Sequence, residues 1–150
     1  MKHENSAGAV VFRKDKDGRI LYLLLGYEHK SKYLGFPRGN IEQDETEKQT
    51  AMREVKEETG LNVRFLEGFR EKVHWFYRRE GDTVSKTLVL FLAEAESDQV
   101  TVSEEHVGYK WLTFEQAIDQ LQFENSRSIL RKAQDFLFNI ERNSLRRFSK

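Results

Sequence analysis

Short apolar runs separated by polar turns open the chain. Residues 6–13 read SAGAVVFR and residues 20–27 read ILYLLLGY, with KDKDG between them. That pattern predicts strand, Asp-Gly turn, strand. Between residues 33 and 43, Gly35, the single proline Pro37, Gly39 and Asn40 predict a loop. From Glu45 to Thr59 no residue breaks a helix; Asp44 with Glu47 offers a capping box, and Gly60 supplies the stop. Strand signals return in NVRFLEGF (62–69) and KVHWFYR (72–78), followed by a turn at Glu80, Gly81 and Asp82. KTLVLFLAEA (86–95) is almost continuously apolar, as expected for a strand covered on both faces. Trp111 and Leu112 close a further short strand.

Two helical patterns end the chain, at Thr113–Leu121 and Ser126–Asn143. In the second, Ile129, Leu130, Ala133, Phe136, Leu137 and Ile140 share one face of a helical period, which should cover the sheet. No repeat, low-complexity linker or boundary interrupts the pattern. The expectation is one α+β domain over residues 1–150, with mixed strands and about three helices.

Composition narrows the choice of function. The 150 residues carry 25 Lys+Arg and 25 Asp+Glu, with 38% hydrophobic residues and eleven Phe. A balanced chain of this kind can bury a core, and it is neither a uniformly basic nucleic-acid binder nor a membrane span. The absence of Cys excludes a disulfide framework, thiolate catalysis and Cys-ligated zinc. The opening MKHENSAGAVVF has no secretory pattern, so the cytoplasm is the expected compartment.

The balance is uneven along the chain. Between Glu42 and Glu58 lie seven acids and three bases, whereas Arg142 to Lys150 carries four bases and no acid. Such a tail, about 142–150, reads as solvated surface. In MREVKEETG, Glu54, Glu57 and Glu58 stand at i, i+3 and i+4, so a helix puts three carboxylates on one face. Like charges at that spacing destabilise the helix. Arg53 can pair with Glu57 and Lys56 lies nearby, but neither relieves all three. A hard divalent cation, which prefers oxygen ligands and binds alongside substrate phosphates, would. Ala51, Met52 and Val55 form the apolar face that should anchor this helix, and a glycine-rich loop carrying Arg38 enters it.

These residues carry a resemblance. Gly39, five residues, Glu45, seven residues, Arg53-Glu54-Val55, one residue, Glu57-Glu58, one residue, Gly60-Leu61 resembles the full signature of the Nudix hydrolases. The resemblance implies a mixed sheet sandwiched between helices, and water attack on a phosphoanhydride with Mg²⁺ or Mn²⁺. It makes Glu54, Glu57, Glu58 and the Gly39 carbonyl metal ligands, Arg53 the ion-pair partner orienting the glutamates, and Glu45 a support behind them. Where the family usually has Pro-Gly inside the loop, this chain has Gln43-Asp44, which bears on turn geometry rather than on ligands.

SAGAVVF, FPRGNIE, KTLVLFLAE and EEHVGYKWLTFEQAIDQL, spread from about Ser6 to Glu141, are similar to the asymmetric diadenosine tetraphosphate hydrolases within that family. Such a substrate offers a charged chain with an aromatic base at each end, so its site needs cations in the middle and flat rings at the ends. Arg38 can reach phosphate with a planar fork. Lys86 falls where the resembling enzymes carry a phosphate-binding lysine, and Trp75, with Phe76 and Tyr77 beside it, where they place an aromatic near a base. Alternation puts Trp75 and Tyr77 on one face of a strand and His74 and Phe76 on the other, so core packing competes for each ring. Tyr33 and Tyr109 follow on the same logic. Glu105 matches a loop glutamate that completes the metal site or helps to activate water, with His106 next to it.

The implied reaction uses two or three divalent cations, leaves Glu54 and Glu105 both open as general base, and yields ATP and AMP. Alternatives are a Nudix pyrophosphohydrolase of another substrate (a nucleoside triphosphate, an RNA 5′ triphosphate or a diphosphoinositol polyphosphate) and a nucleotide-sensing Nudix domain without turnover. The basic tail leans toward a larger polyanion. No covalent nucleophile is indicated, and a monomer is the simplest expectation.

Overall fold

The computed structural model describes residues 1–26, 34–103 and 108–148, with side chains through 144. Among the described residues, eight strands form one mixed sheet and three helices cover it. The first strand, β1 (Lys2–Lys14), runs beyond its apolar segment and lies at the centre. It pairs antiparallel with β2 (Ile20–Gly26) through Phe12↔Tyr22 to Lys14↔Ile20. The turn between them is closed by Asp15, whose Oδ1 accepts from the backbone N–H of Asp17 and Arg19, and by Gly18 at φ 81°. A left-handed backbone of that kind suits glycine.

The glycine-rich segment is not wholly loop. It holds two short strands, β3 (Leu34–Gly35), paired with β2, and β4 (Arg38–Asn40), paired antiparallel with β1. In the second pairing Gly8 faces Arg38, and the amide of Ala9 donates to the Pro37 carbonyl at 3.1 Å. A Cβ on Gly8 would stand 2.0 Å from that carbonyl oxygen and 2.7 Å from the Arg38 Cβ. Glycine at this position is what lets the loop lie against the central strand.

After helix α1 (Glu47–Thr59), β5 (Val63–Phe65) is shorter than its apolar run, and β6 (Glu71–Arg79) and β7 (Asp82–Ala95) form a hairpin through Glu80 and Gly81, both at positive φ. β7 lies parallel to β1, with Glu4 opposite Lys86 and Ser6 opposite Leu88. On its other side it pairs with β6 and then with β5. β8 (Gly108–Leu112) adds to β2, and α2 (Phe114–Gln120) and α3 (Glu124–Phe148) follow.

Alternation along β1 divides the core. Ala9 and Val11 join Leu23, Leu25 and Ala93 under Val55 of α1, while Val10 and Phe12 join Leu24, Leu90 and Leu92 under Ile129, Leu130 and Ala133 of α3. The sheet is thus sandwiched between helices, and the apolar run of β7 is covered on both faces as its sequence predicts. Tyr22 Oη donates to Gln134 Oε1, tying α3 to the sheet.

Further expectations need correction. The cap of α1 is Thr46 with Gln49, not Asp44 with Glu47: Thr46 Oγ1 accepts from the Gln49 amide, and Gln49 Oε1 accepts from the Thr46 amide. Asp44 instead takes a positive φ of 69° in the turn that delivers Thr46 to the cap. Met52 and Ile140, at the margins of their helical stripes, are exposed rather than anchoring. The last helix also continues to Phe148, past its expected end near Asn143.

The close approach at Gly8 gives a direct test. Gly8→Ala should destabilise the protein by about 1–3 kcal/mol, the usual cost of overpacking. Urea denaturation should show a lower midpoint at unchanged slope. An unchanged midpoint would show that β4 does not need this approach.

Candidate active site

Helix α1 supplies the acids and holds them with a single base. Arg53 Nε donates to Glu45 Oε2 at 2.7 Å and its Nη2 to Glu45 Oε1 at 2.9 Å, a bidentate pair. Its Nη1 reaches Glu54 at 2.7 Å and Glu57 at 3.2 Å, and Nη2 also caps the Asn40 carbonyl at 3.2 Å. One guanidinium therefore joins the loop, the turn before the helix and two of the three glutamates. Glu45 takes further bonds from Thr50 Oγ1 and the Glu42 amide. The Arg53 contact, with these bonds, lowers its pKa to about 2. Lys56 does not share this work: its ammonium turns to the Gly60 carbonyl and Asn62 Oδ1.

Glu54 and Glu58 meet. Glu58 is only 4% exposed, and its Oε2 accepts from the Arg38 amide at 3.2 Å. Burial first, and the neighbouring Glu54 charge second, push its pKa up to about 8. Without metal near pH 7 it keeps its proton and hydrogen-bonds to Glu54. Burial also raises the pKa of Glu54, against the pull of Arg53. The structure thus answers the crowding of acids in two ways, with a shared proton for one pair and with Arg53 for Glu54 and Glu57.

Glu57 stays at the rim on Arg53, and among the described residues no three metal-binding side chains converge on one point. Gly39 backs directly onto Glu54, where an added Cβ would lie 2.1 Å from the carboxyl carbon. The donor chemistry fits a hard divalent cation. Carboxylates and a nearby loop of backbone carbonyls are oxygen ligands, and a buried carboxyl pair sharing one proton is a place where a dication can replace that proton.

Ser6, Arg38, Gly39, Asn40, Glu42, Glu54, Glu58 and Lys86 line one cleft of ≈ 350 Å³. It brings together five of the residues singled out in the sequence: Arg38, Gly39, Glu54, Glu58 and Lys86. Ser6 and Asn40, joined by a 2.9 Å hydrogen bond, and Glu42 were not among them. The Ser6 to Asn40 pairing arises from β1–β4 register, which no local spacing encodes.

Trp75 lies across from Lys86 on β6, half-buried against the larger core cluster, and Tyr77 Oη donates to Glu4. Neither ring lines the cleft. Phe76 is 60% exposed on the opposite face with His74, as alternation predicts. Tyr109 is exposed on β8. Tyr33, Glu105 and His106 lie outside the described residues.

With this geometry in place, comparison with known proteins identifies relatives. The family model described as the NUDIX domain matches residues 2–133. The asymmetrical bis(5′-nucleosyl)-tetraphosphatase of Mus musculus is 30% identical over 142 residues, covering 88% of this chain and 94% of the mouse protein. The dihydroneopterin triphosphate diphosphatase of Haemophilus influenzae is 27% identical over 151 residues, covering 94% and 92%. Among solved structures, a binary complex of the Caenorhabditis elegans Ap4A hydrolase superposes with a TM-score of 0.81 at 32% identity, covering 91% of this chain and 98% of that one.

The buried proton generates a pH dependence. Glu58 has a usual carboxyl pKa of 4.5 when unfolded and about 8 when folded. Between those values the native state holds a proton that the unfolded chain has released. Its contribution is therefore full below pH 4.5 and is lost as pH rises through 8. With chelator present, the urea midpoint should fall between those limits in the unsubstituted protein, and Glu58→Gln should flatten that fall. Equal slopes for both proteins would refute the shared proton.

Proposed function

The chain belongs to the Nudix family, and we propose that it hydrolyses diadenosine tetraphosphate to ATP and AMP. The family assignment makes it a Nudix pyrophosphohydrolase; the substrate and the residue roles are our reading. The observation that carries this reading is the cleft itself, in which the carboxyl pair of α1 shares one space with Arg38 and Lys86. A polyphosphate chain needs both, a metal side where phosphorus is attacked and cations where charge accumulates on the leaving group. Similarity to the mouse tetraphosphatase over nearly its whole length supports the choice of substrate.

Glu54, Glu58, Glu57 and the Gly39 carbonyl are the proposed holders of Mg²⁺ or Mn²⁺, with Glu105 as a further ligand. A divalent cation there would supply charge neutralisation on phosphate and a lowered pKa for bound water. Arg53 orients the glutamates through the contacts above. With the Glu58 proton displaced by the cation, Glu54, gripped by Arg53, would take the proton of water, and Glu105 is the other eligible base. Water attacks the phosphorus distal to the leaving triphosphate. Its oxygen ends in AMP, the phosphoanhydride bond breaks, and the electron pair leaves on ATP. Arg38 and Lys86 receive the charge on that departing chain.

A second reading has one specific support: the Haemophilus relative is named for a triphosphate substrate. Nucleoside triphosphate, cut to monophosphate and pyrophosphate, would use the same wall of carboxylates and fewer of the cations. The cytoplasm remains the proposed compartment; among the described residues no helix is long and apolar enough to cross a membrane.

Separated products decide between these readings. With Mg²⁺ or Mn²⁺ and heavy-oxygen water, diadenosine tetraphosphate should yield equal amounts of ATP and AMP, with the label in AMP. Glu54→Gln should lower kcat by about 10²–10⁴-fold, the range for loss of a general base, with an unchanged circular dichroism spectrum. Intact diadenosine tetraphosphate beside a nucleoside triphosphate cut to monophosphate would overturn the leading reading.

A further inference from the structure

Lys86 lines the cleft yet is mostly buried, its side chain 18% exposed. Burial lowers its pKa, the Glu4 carboxylate pulls it back up, and Arg38 and Arg79 push it down again. An ammonium in that position needs a counter-ion that stays put. Glu4 stands opposite Lys86 in the parallel β1–β7 pairing, with Lys86 Nζ 3.7 Å from its Oε1. Two further donors hold the same carboxylate. Tyr77 Oη donates to Oε1, and Arg79 Nη1 lies 3.2 Å from Oε2, its guanidinium 5.9 Å from the centre of the Tyr77 ring.

Glu4 does not line the cleft, so it is not itself placed to meet substrate. Its two hydrogen-bond donors, Tyr77 and Arg79, both come from β6 and fix it beside Lys86 of β7. An ammonium has three N–H groups, so Lys86 keeps donors for an anion while Glu4 engages it from one side. We propose that Glu4 is a positioning residue: braced by Tyr77 and Arg79, it holds Lys86 at the cleft and thereby sets the affinity of the site for a phosphate chain. The inference rests on the reading of the cleft as a polyphosphate site, though not on which nucleotide carries the chain.

The test uses the full chain with Mg²⁺ and two ligands. Calorimetry with inorganic tripolyphosphate reads the anion grip alone, and turnover of diadenosine tetraphosphate reads it in the reaction. Glu4→Gln should weaken tripolyphosphate about three- to tenfold, the scale of a lost part-buried ion pair. In turnover it should lower kcat/KM by at least the same factor, because Lys86 also meets the charge that develops on the departing chain. In a Lys86→Met background the same change should add no further loss, because the effect passes through Lys86. Tyr77→Phe, which releases one brace, should give a smaller loss in the same direction, and it stands in should Glu4→Gln not fold.

An unchanged or tighter Kd for tripolyphosphate in the folded variants would overturn the proposal, a tighter one by making Glu4 a competitor of phosphate. So would failure of the unsubstituted chain to bind tripolyphosphate. If tripolyphosphate affinity depends on Glu4 while diadenosine tetraphosphate is not turned over, the substrate reading fails and this inference stands. Normal turnover with affinity independent of Glu4 sinks this inference alone.

Discussion

Two carboxyl groups pressed together out of water, Glu54 and Glu58, set the terms for everything around them. Burying one ionised carboxylate beside another is among the more costly arrangements available to a protein, and the ordinary response is to keep a proton. Here that response is visible in the raised pKa of Glu58. A pair maintained at such cost, lining a cleft rather than enclosed in the core, is poised for a ligand of positive charge. The metal requirement of the family and the electrostatics of α1 are then the same fact seen from two sides.

Arg53 keeps the pair from dispersing. Rotation of Glu54 toward solvent would break its 2.7 Å contact with the guanidinium, and movement of the guanidinium would break the bidentate pair with Glu45 and the bond to the Asn40 carbonyl. Because Glu45 precedes the helix and Asn40 ends β4, the same side chain fixes the loop that carries Gly39 and Arg38. The lack of a side chain at Gly8 and Gly39 completes the arrangement, since the loop touches β1 at one glycine and Glu54 at the other. Glycine is required here by contact distance, not by an unusual φ.

What could be read in the sequence follows the range of the interactions. The acidic face of α1 was legible because i, i+3 and i+4 spacing needs only the helix itself, and the Arg53 to Glu57 pair for the same reason. The central strands were legible from continuous apolar runs. The cap was misplaced because Asp44/Glu47 and Thr46/Gln49 both satisfy the local pattern, and only the positive φ of Asp44 separates them. The deep burial of Glu58 was hidden, since glutamate on a polar helix face reads as solvated. Glu4 gave no signal at all. Its meaning comes from parallel pairing with a strand some eighty residues away, which juxtaposes it with Lys86, Tyr77 and Arg79.

This division by range also separates chemistry from specificity. The acids and their organiser lie within one turn-and-helix segment, Glu45 to Glu58, so they move and mutate as a unit. The cations of the cleft belong to different strands, Arg38 to β4 and Lys86 to β7. Changing one strand can alter the cations of the cleft without disturbing the carboxyl pair. Family membership therefore settles the reaction type here, and the substrate has to be argued from the walls of the cleft.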